Sequence, residues 1–406
     1  HGCISCTKIY ISRISIKSDF LKSKNILGGD RMEKRAKKLS FAVVGAGHGG
    51  QGLAGYLACK GHKVNLYNRT IENIRDIKEC RYIELQGDIE GNGVLNIVTD
   101  DITEAINGVD IIMVVLPASA HKYIAHKIAN HVEANQYIVL NPGRTGGALE
   151  FRNIISRYRN AKDICIVEAQ TFLFACRSLG EGKVKIFSKK REVKIAALPA
   201  IRTGEFIEKI HSVIPEFTPS LNVLETSLNN IGAVLHPIPT ILNCGRIENT
   251  QGNFQYYIDG ITPSVASVIE QADYERMTVA RALGVKTISL KEWLEYTYNA
   301  YGDTLCEALK NTVGYWGIMA PSSMDTRYIF EDVPNSLVPI SDLGRHLGIF
   351  TPIIDSMINL ASVMHNINYY MSGRKVEDMG LSGLLIDEIM SFVTNGEIAS
   401  IEGVVA

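Results

Sequence analysis

The sequence predicts an α/β half followed by an all-α half, and three observations carry that reading. A glycine-rich turn lies between a short apolar run and a helix-like stretch near the start. Further short apolar runs, the mark of strands buried on both faces, recur up to about residue 200. From Leu221 onward the apolar residues switch to helical spacing. The expected division is a leader over 1–31, an α/β domain over 32–220 and a helical domain over 221–406.

The first run, Phe41–Val44, leads into Gly45, Gly47 and Gly50, which complete G-x-G-x-x-G. Gly45 turns the chain out of the strand, Gly47 clears space for a pyrophosphate, and Gly50 lets the next helix pack closely. The helix is expected over Gln51–Lys60, with Gly61 as its stop and Lys63–Tyr67 as the second strand. Strand, turn, helix and strand in this order make a Rossmann-like dinucleotide-binding domain, with the N–H groups and dipole of the helix start favouring phosphate. The turn Gly45–Gly50, with His48 and Gly49 inside it, therefore supplies cofactor-binding backbone. After the second strand an NAD-specific site usually has Asp or Glu for the ribose 2′-hydroxyl. Here Asn68, Arg69 and Thr70 stand instead. A guanidinium suits a 2′-phosphate, so the reading favours NADP(H). The other reading has Arg69 stacked on adenine or solvated while NAD binds.

Tyr82–Leu85 and Val94–Val98 read as an inserted hairpin. Asp110–Leu116 is the next buried strand, and Pro117 ends it where such a sheet meets its cofactor. Ser119–Val132 is a helix. Its His121, His126 and His131 recur every five residues, share no face, and read as scattered surface or boundary histidines rather than metal ligands. Tyr137–Leu140 is a strand followed by Asn141-Pro-Gly-Arg-Thr-Gly-Gly147, whose glycines and hydroxyl suit the nicotinamide end of a cofactor, or a turn chosen for geometry alone. Ile164–Val167, Val184–Phe187 and Val193–Ala197 are expected to complete the sheet, and 215–219 to be a linker. Helices follow over Leu221–Cys244, Pro263–Leu283, Leu290–Asn299, Pro352–Met371 and Leu381–Val393.

Composition narrows the function. The chain has 406 residues, 46% of them hydrophobic and 21% charged, enough to bury a sizeable core. A net charge of −1 argues against nucleic acid or an anionic membrane as the main partner. The longest apolar run, Ile111–Leu116, is far short of the roughly 20 residues of a membrane span. Eight scattered cysteines read as reduced cytoplasmic thiols. Residues 1–31 lack periodicity and precede Met32; they read as a non-native or disordered leader, or, being acid-poor, as a targeting peptide. Cys3 and Cys6 form C-x-x-C with no second pair, so no metal is expected.

Two stretches carry candidate chemistry. His236 lies in Asn229-Asn-Ile-Gly-Ala-Val-Leu-His-Pro237, opening the helical half. Histidine titrates near neutral pH and can move protons, although one histidine on an apolar helix also fits a core position. The second stretch is Asp325-Thr-Arg-Tyr-Ile-Phe-Glu-Asp-Val-Pro334. Pro334 biases Val333 to extended geometry, which would put Asp332 at a helix end. That carboxylate could hold an imidazole tautomer, and Arg327 offers a fork for a substrate carboxylate; an ordinary surface Asp–Arg pair is the plainer reading.

These motifs, GAGHGG, PGRTGG, NNIGAVLHP and RYIFEDVP, resemble those of the opine dehydrogenase family, the octopine, nopaline and related enzymes, over roughly Leu39 to Glu388. The resemblance implies a C-terminal α-helical dehydrogenase domain, with His236 as catalytic acid/base, Asp332 as its carboxylate partner and Arg327 as a substrate-binding arginine. It implies reductive condensation: an amino acid adds to a 2-oxo acid such as pyruvate, water leaves, and NAD(P)H reduces the imine. Small-molecule substrates are then the partners. A homodimer is compatible with this, although nothing in the sequence fixes the oligomeric state. Two rivals remain at this point. Glycerol-3-phosphate, 6-phosphogluconate and ketopantoate reductase-like enzymes share the two-domain plan but resemble one another in a K-x-x-x-N lysine. No lysine here has Asn four residues later, and none occurs from 210 to 285. The other rival is a catalytically silent cofactor-binding protein.

Overall fold

The computed structural model describes residues 38–398. The leader and the Cys3–Cys6 pair lie outside that range. Among the described residues there are twelve strands: β1 (Ser40–Val44), β2 (Lys63–Tyr67), β3 (Tyr82–Gly87), β4 (Gly91–Val94), β5 (Ile97–Thr99), β6 (Ile111–Val114), β7 (Tyr137–Leu140), β8 (Cys165–Ala169), β9 (Phe174–Gly180), β10 (Lys183–Lys189), β11 (Val193–Leu198) and β12 (Phe217–Pro219). Eight form the main sheet in the order β12-β11-β8-β7-β6-β1-β2-β5. From β5 to β8 every pairing is parallel; β11 then runs antiparallel to β8. The chain leaves β1 towards β2 and β5, then returns to place β6 on the other side of β1. The crevice at the carboxyl ends of β1 and β6 is therefore the switch point where such sheets bind ligands.

Alternation along the buried strands feeds two cores. Phe41, Val43, Ile111 and Met113 pack with the helix His48–Cys59 on one face. Ala42, Val44, Ile112 and Val114 belong on the other face to one apolar core that runs on into the helical half. The helical half is thus fixed to the sheet by continuous burial rather than by a linker.

Several expected elements differ. The hairpin exists, but its strands are β3 and β4, paired antiparallel from Tyr82–Val94 to Leu85–Gly91. Ile97–Thr99 instead joins the main sheet beside β2. Val184–Phe187 does not complete the main sheet. It lies in β10, within a second sheet of order β4-β3-β10-β9. The reason is legible in the burial: Val184 and Ile186 are buried while Lys185 and Phe187 are exposed, the alternation of a one-faced sheet. That sheet covers the first helix, where a Cβ at Gly55 would lie 2.8 Å from Ile83. The 215–219 segment is an edge strand, β12, parallel to β11, rather than a linker.

The expected helix Leu221–Cys244 is broken into Val223–Leu228, Gly232–Leu235 and Pro237–Leu242. Asn229 and Asn230 spend their side chains on tertiary partners, Lys286 O and Ser336 Oγ, and Pro237 and Pro239 have no N–H to donate. The helix expected over Ser119–Val132 is a 3₁₀ turn, Ala118–Ala120, followed by His121–Ile128. His121 is not at the surface: it is fully buried against Phe151. Pro352–Met371 divides into Pro352–His365 and Tyr369–Ser372, and the last helix is Ile386–Asn395. No helix among the described residues is long and apolar enough to cross a membrane.

Candidate active site

At the crevice, Gly45 has φ +105°, and a Cβ there would stand 2.5 Å from the Val115 carbonyl and from Leu116. The loops after β1 and β6 can touch only because this residue is glycine. A Cβ on Gly50 would lie 1.7 Å from the Gly45 carbonyl, so the helix start closes directly on the turn. At Gly47 nothing stands within 4 Å of an added Cβ, and the helix beginning at His48 has no side-chain cap. The uncapped positive end of a 12-residue helix thus begins beside open space. These features fit a dinucleotide pyrophosphate.

The neighbouring candidates are engaged differently. The His48 ring accepts from the Ser178 N–H at 3.1 Å, tying it to β9. Asn68 Oδ1 accepts from Ala46 N–H and its Nδ2 donates to Thr70 O at 2.7 Å, so Asn68 braces the glycine turn. Arg69 and Thr70 are exposed beyond β2, and no carboxylate pairs with Arg69 among the described residues. Arg69 shares a shallow surface with Asp100, Asp101, Tyr123, Lys127 and His131. Pro117 follows β6, and the next N–H, of Ala118, points at Glu331 Oε1 of the helical half, 3.4 Å away.

The structure brings the three expected chemical residues together. His236 occupies the break between two short helices. Its carbonyl accepts from Thr240 Oγ1 at 2.8 Å and from the Tyr256 hydroxyl at 2.5 Å, and its ring stacks on Tyr328 with centroids 4.7 Å apart. Its Nδ1 lies 3.0 Å from Asp332 Oδ2. Asp332 is fully buried, which alone would raise its pKa, but Arg144 and His236 outweigh burial and hold the carboxyl below its ordinary value. An ionised Asp332 has no proton to donate, so Nδ1 carries the hydrogen of this contact and Nε2 is the nitrogen left for a substrate.

Asp332 does not end a helix, contrary to expectation. Its backbone is helical (φ −77°, ψ −31°), and the chain runs on through a single π turn, Val333–Leu337, into the helix Val338–His346. The wider turn admits Pro334 without a stop and aims Glu331 and Asp332 inward, as π turns often do at sites.

Arg144 is the residue that sequence reading missed. It sits in the PGRTGG loop at φ +59°, a left-handed conformation unusual for a side-chain-bearing residue. From there the residue is 8% exposed, and its guanidinium meets Glu331 Oε1 through Nε at 3.2 Å and Asp332 Oδ1 through Nη1 at 3.3 Å. Both carboxylates push its pKa up against the effect of burial. Gly232 makes room: a Cβ there would stand 3.1 Å from both Arg144 Nη1 and His236 Cε1. An arginine inside a glycine-rich loop is the signal that the sequence offers for it. Arg327 is far more open, with a side chain 60% exposed, and its Nε is held by Glu331 Oε2 at 3.1 Å. That contact leaves its Nη groups for a ligand. Among the described residues no cluster of His, Cys, Asp and Glu is arranged to hold a metal.

Comparison with known proteins identifies the family and the fold. The family described as NAD/NADP octopine/nopaline dehydrogenase, alpha-helical domain, matches residues 219–365, and the NAD-dependent glycerol-3-phosphate dehydrogenase N-terminus matches 40–147. An opine dehydrogenase of Arthrobacter sp. (strain 1C) is 41% identical over 355 residues, covering 87% of this chain and 98% of that protein. The chain belongs to the opine dehydrogenase family. It is an NAD(P)-dependent oxidoreductase of that family. A second opine dehydrogenase, from Haliotis discus hannai, is 24% identical and covers 79% of this chain and 89% of its own length. Among solved structures, octopine dehydrogenase with NADH and L-arginine superposes with a TM-score of 0.73 at 20% identity, covering 88% of this chain and 98% of that one. Yersinopine dehydrogenase with NADP+ gives 0.70 at 13% identity with the same coverage. At these identities the structural matches speak for the fold, and the opine dehydrogenase fold is the one described above.

Proposed function

We propose that this opine dehydrogenase condenses an amino acid with a 2-oxo acid such as pyruvate and reduces the resulting imine to an N-(carboxyalkyl) amino acid. The observation that carries the reading is the His236–Asp332 pair, in which Asp332 is buried and kept anionic by Arg144. NAD(P)H, when bound, supplies the hydride. His236 Nε2 takes a proton as the amine adds to the carbonyl and returns it as water leaves; Asp332 fixes the tautomer and stabilises the imidazolium. Arg327 neutralises the carboxylate of the 2-oxo acid, and Glu331 limits its swing. Binding both reactants in one cleft replaces much of the entropic cost of their encounter.

The uncapped helix start at His48, Gly49 and Gly50, with Gly47 leaving the approach open, Gly45 shaping the turn and Pro117 following β6, forms the cofactor site in this reading. NADP(H) is the preferred form. Arg69, with no carboxylate partner among the described residues and with Lys127 on the same surface as Asp100 and Asp101, favours a 2′-phosphate, and Asn68 is already committed to the glycine turn. The six described cysteines are all free, which agrees with a cytoplasmic setting.

The test is direct. NAD(P)H oxidation should require pyruvate and an amino acid together. Mass spectrometry should find a secondary amine dicarboxylate whose mass is that of the two substrates minus water plus two hydrogens. Oxidation with pyruvate alone, giving a 2-hydroxy acid and no condensed product, would reassign the chain to the simple 2-oxo acid reductases.

A further inference from the structure

A two-substrate condensation of this kind brings two carboxylates into the cleft, one on each reactant. Arg144 is already paired with Glu331 and Asp332 through Nε and Nη1, which holds it at the catalytic pair. Arg327 on the helical half can receive one. The nucleotide half also reaches the catalytic motif. After β8, Gln170 Nε2 donates to Asn229 O at 2.8 Å, reaching the helical half beside the motif that carries His236. Two residues on, the Phe172 ring stands 3.0 Å from where a Cβ on Gly49 would be, against the glycine turn. Thr171 lies between these two anchors, so the segment spans from the cofactor turn to the catalytic motif.

Lys190 points its ammonium at this segment. Its N–H is fixed to Leu173 O at 3.0 Å, and its Nζ donates to Thr171 Oγ1 at 2.5 Å. No carboxylate pairs with it among the described residues; a hydroxyl is its partner. Burial pushes its pKa down to about 8, and the nearby Arg144 charge adds to the effect. A partly desolvated cation without a counter-ion is costly, and an arriving anion relieves that cost.

We propose that Lys190 is a specificity-determining residue that binds the carboxylate of the amine-donating amino acid on the nucleotide half, with the Arg327 subsite on the helical half left for the 2-oxo acid. This rests on the two-substrate reading above. Lys190 then selects amino acids over plain amines and sets which reactant lies against which half.

The experiment uses the full-length enzyme with pyruvate and three matched pairs: L-alanine and ethylamine, L-leucine and isopentylamine, L-phenylalanine and phenethylamine. Wild type, Lys190→Met, Lys190→Gln and Lys190→Arg are compared, with melting curves to establish folding; Lys190→Gln replaces Lys190→Met if the latter unfolds. For the neutral variants the KM for the amino acid should rise about 10-fold or more, while KM for pyruvate and Kd for NAD(P)H stay within about twofold. The preference for each amino acid over its matched amine should collapse, and Lys190→Arg should recover most of it. An unchanged amino acid KM overturns the assignment. So does a rise confined to pyruvate KM, or to cofactor Kd, which would give Lys190 to the oxo acid or to a cofactor phosphate. A wild type that consumes NAD(P)H with pyruvate alone overturns the two-substrate reading itself and the inference with it, whereas an amino-acid-dependent wild type with an indifferent Lys190 overturns the inference only.

Discussion

Replacing Asp332 by Asn removes one charge and leaves the shape of the site almost unchanged. Nδ1 of His236 and Oδ2 of Asp332 are 3.0 Å apart. At an effective dielectric of about 20, opposite charges centred about 4 Å apart attract by ~4 kcal/mol. Arg144, 3.3 Å from the other carboxylate oxygen, cancels part of this field at the imidazole. The remainder still favours positive charge on the imidazole as the amine adds. The sign follows from the charge: without the carboxylate the imidazolium formed during amine addition is less stable, so the proton transfer should slow. Asparagine can also turn its NH₂ towards Nδ1, which would put the hydrogen on Nε2 and block it as a base. Turnover at neutral pH should therefore fall by about 100-fold or more. Arg144 keeps Glu331 as a partner, so the chain should still fold. The measurement is kcat against pH for wild type and Asp332→Asn, with circular dichroism as a folding control. A profile superimposable on wild type would remove Asp332 from the mechanism. Stability adds a second readout. Because the folded pKa of Asp332 is lowered, its contribution is present above the unfolded value of about 3.9 and is lost as pH falls through the folded one. Asp332→Asn should therefore lose less stability than wild type in acid denaturation.

Three further outcomes are expected. His236→Asn should lower turnover by about 100-fold with cofactor affinity nearly intact, read from steady-state rates and fluorescence titration; a variant that melts earlier but keeps its specific activity would make His236 a core residue. Arg69→Ala should raise KM for NADPH far more than for NADH, because only NADPH has a 2′-phosphate to lose; constants that move together, or a wild type that prefers NADH, would refute the NADP(H) reading. Gly50→Ala puts a methyl 1.7 Å from the Gly45 carbonyl, so the turn and helix start must separate. Loss of cofactor binding, with a lower melting temperature, is the expected result, and full NAD(P)H affinity would contradict the close approach drawn here.

The sequence by itself determined the elements whose physics is local. Phe41–Val44 and Tyr137–Leu140 are apolar runs too short for helices, and each is a buried strand of the main sheet. The glycines at 45, 47 and 50 announced the turn because each steric demand can be met by one residue type. The NNIGAVLHP and RYIFEDVP motifs carried the family. Tertiary structure decided what depends on distant partners. Val184–Phe187 has strand propensity in either sheet, and only its packing on the first helix assigned it to the second. The run Leu221–Cys244 has helical spacing throughout, yet tertiary hydrogen bonds of Asn229 and Asn230, with the prolines at 237 and 239, broke it and left His236 at a joint. The carboxylate beside that histidine is 96 positions away, and the arginine that keeps it charged lies in a loop of the other half. Arg144 paired with Asp332 could not be read from the chain, because what aims Arg144 inward is a left-handed backbone and the space left by Gly232. Both exist only after the two halves have closed on one core.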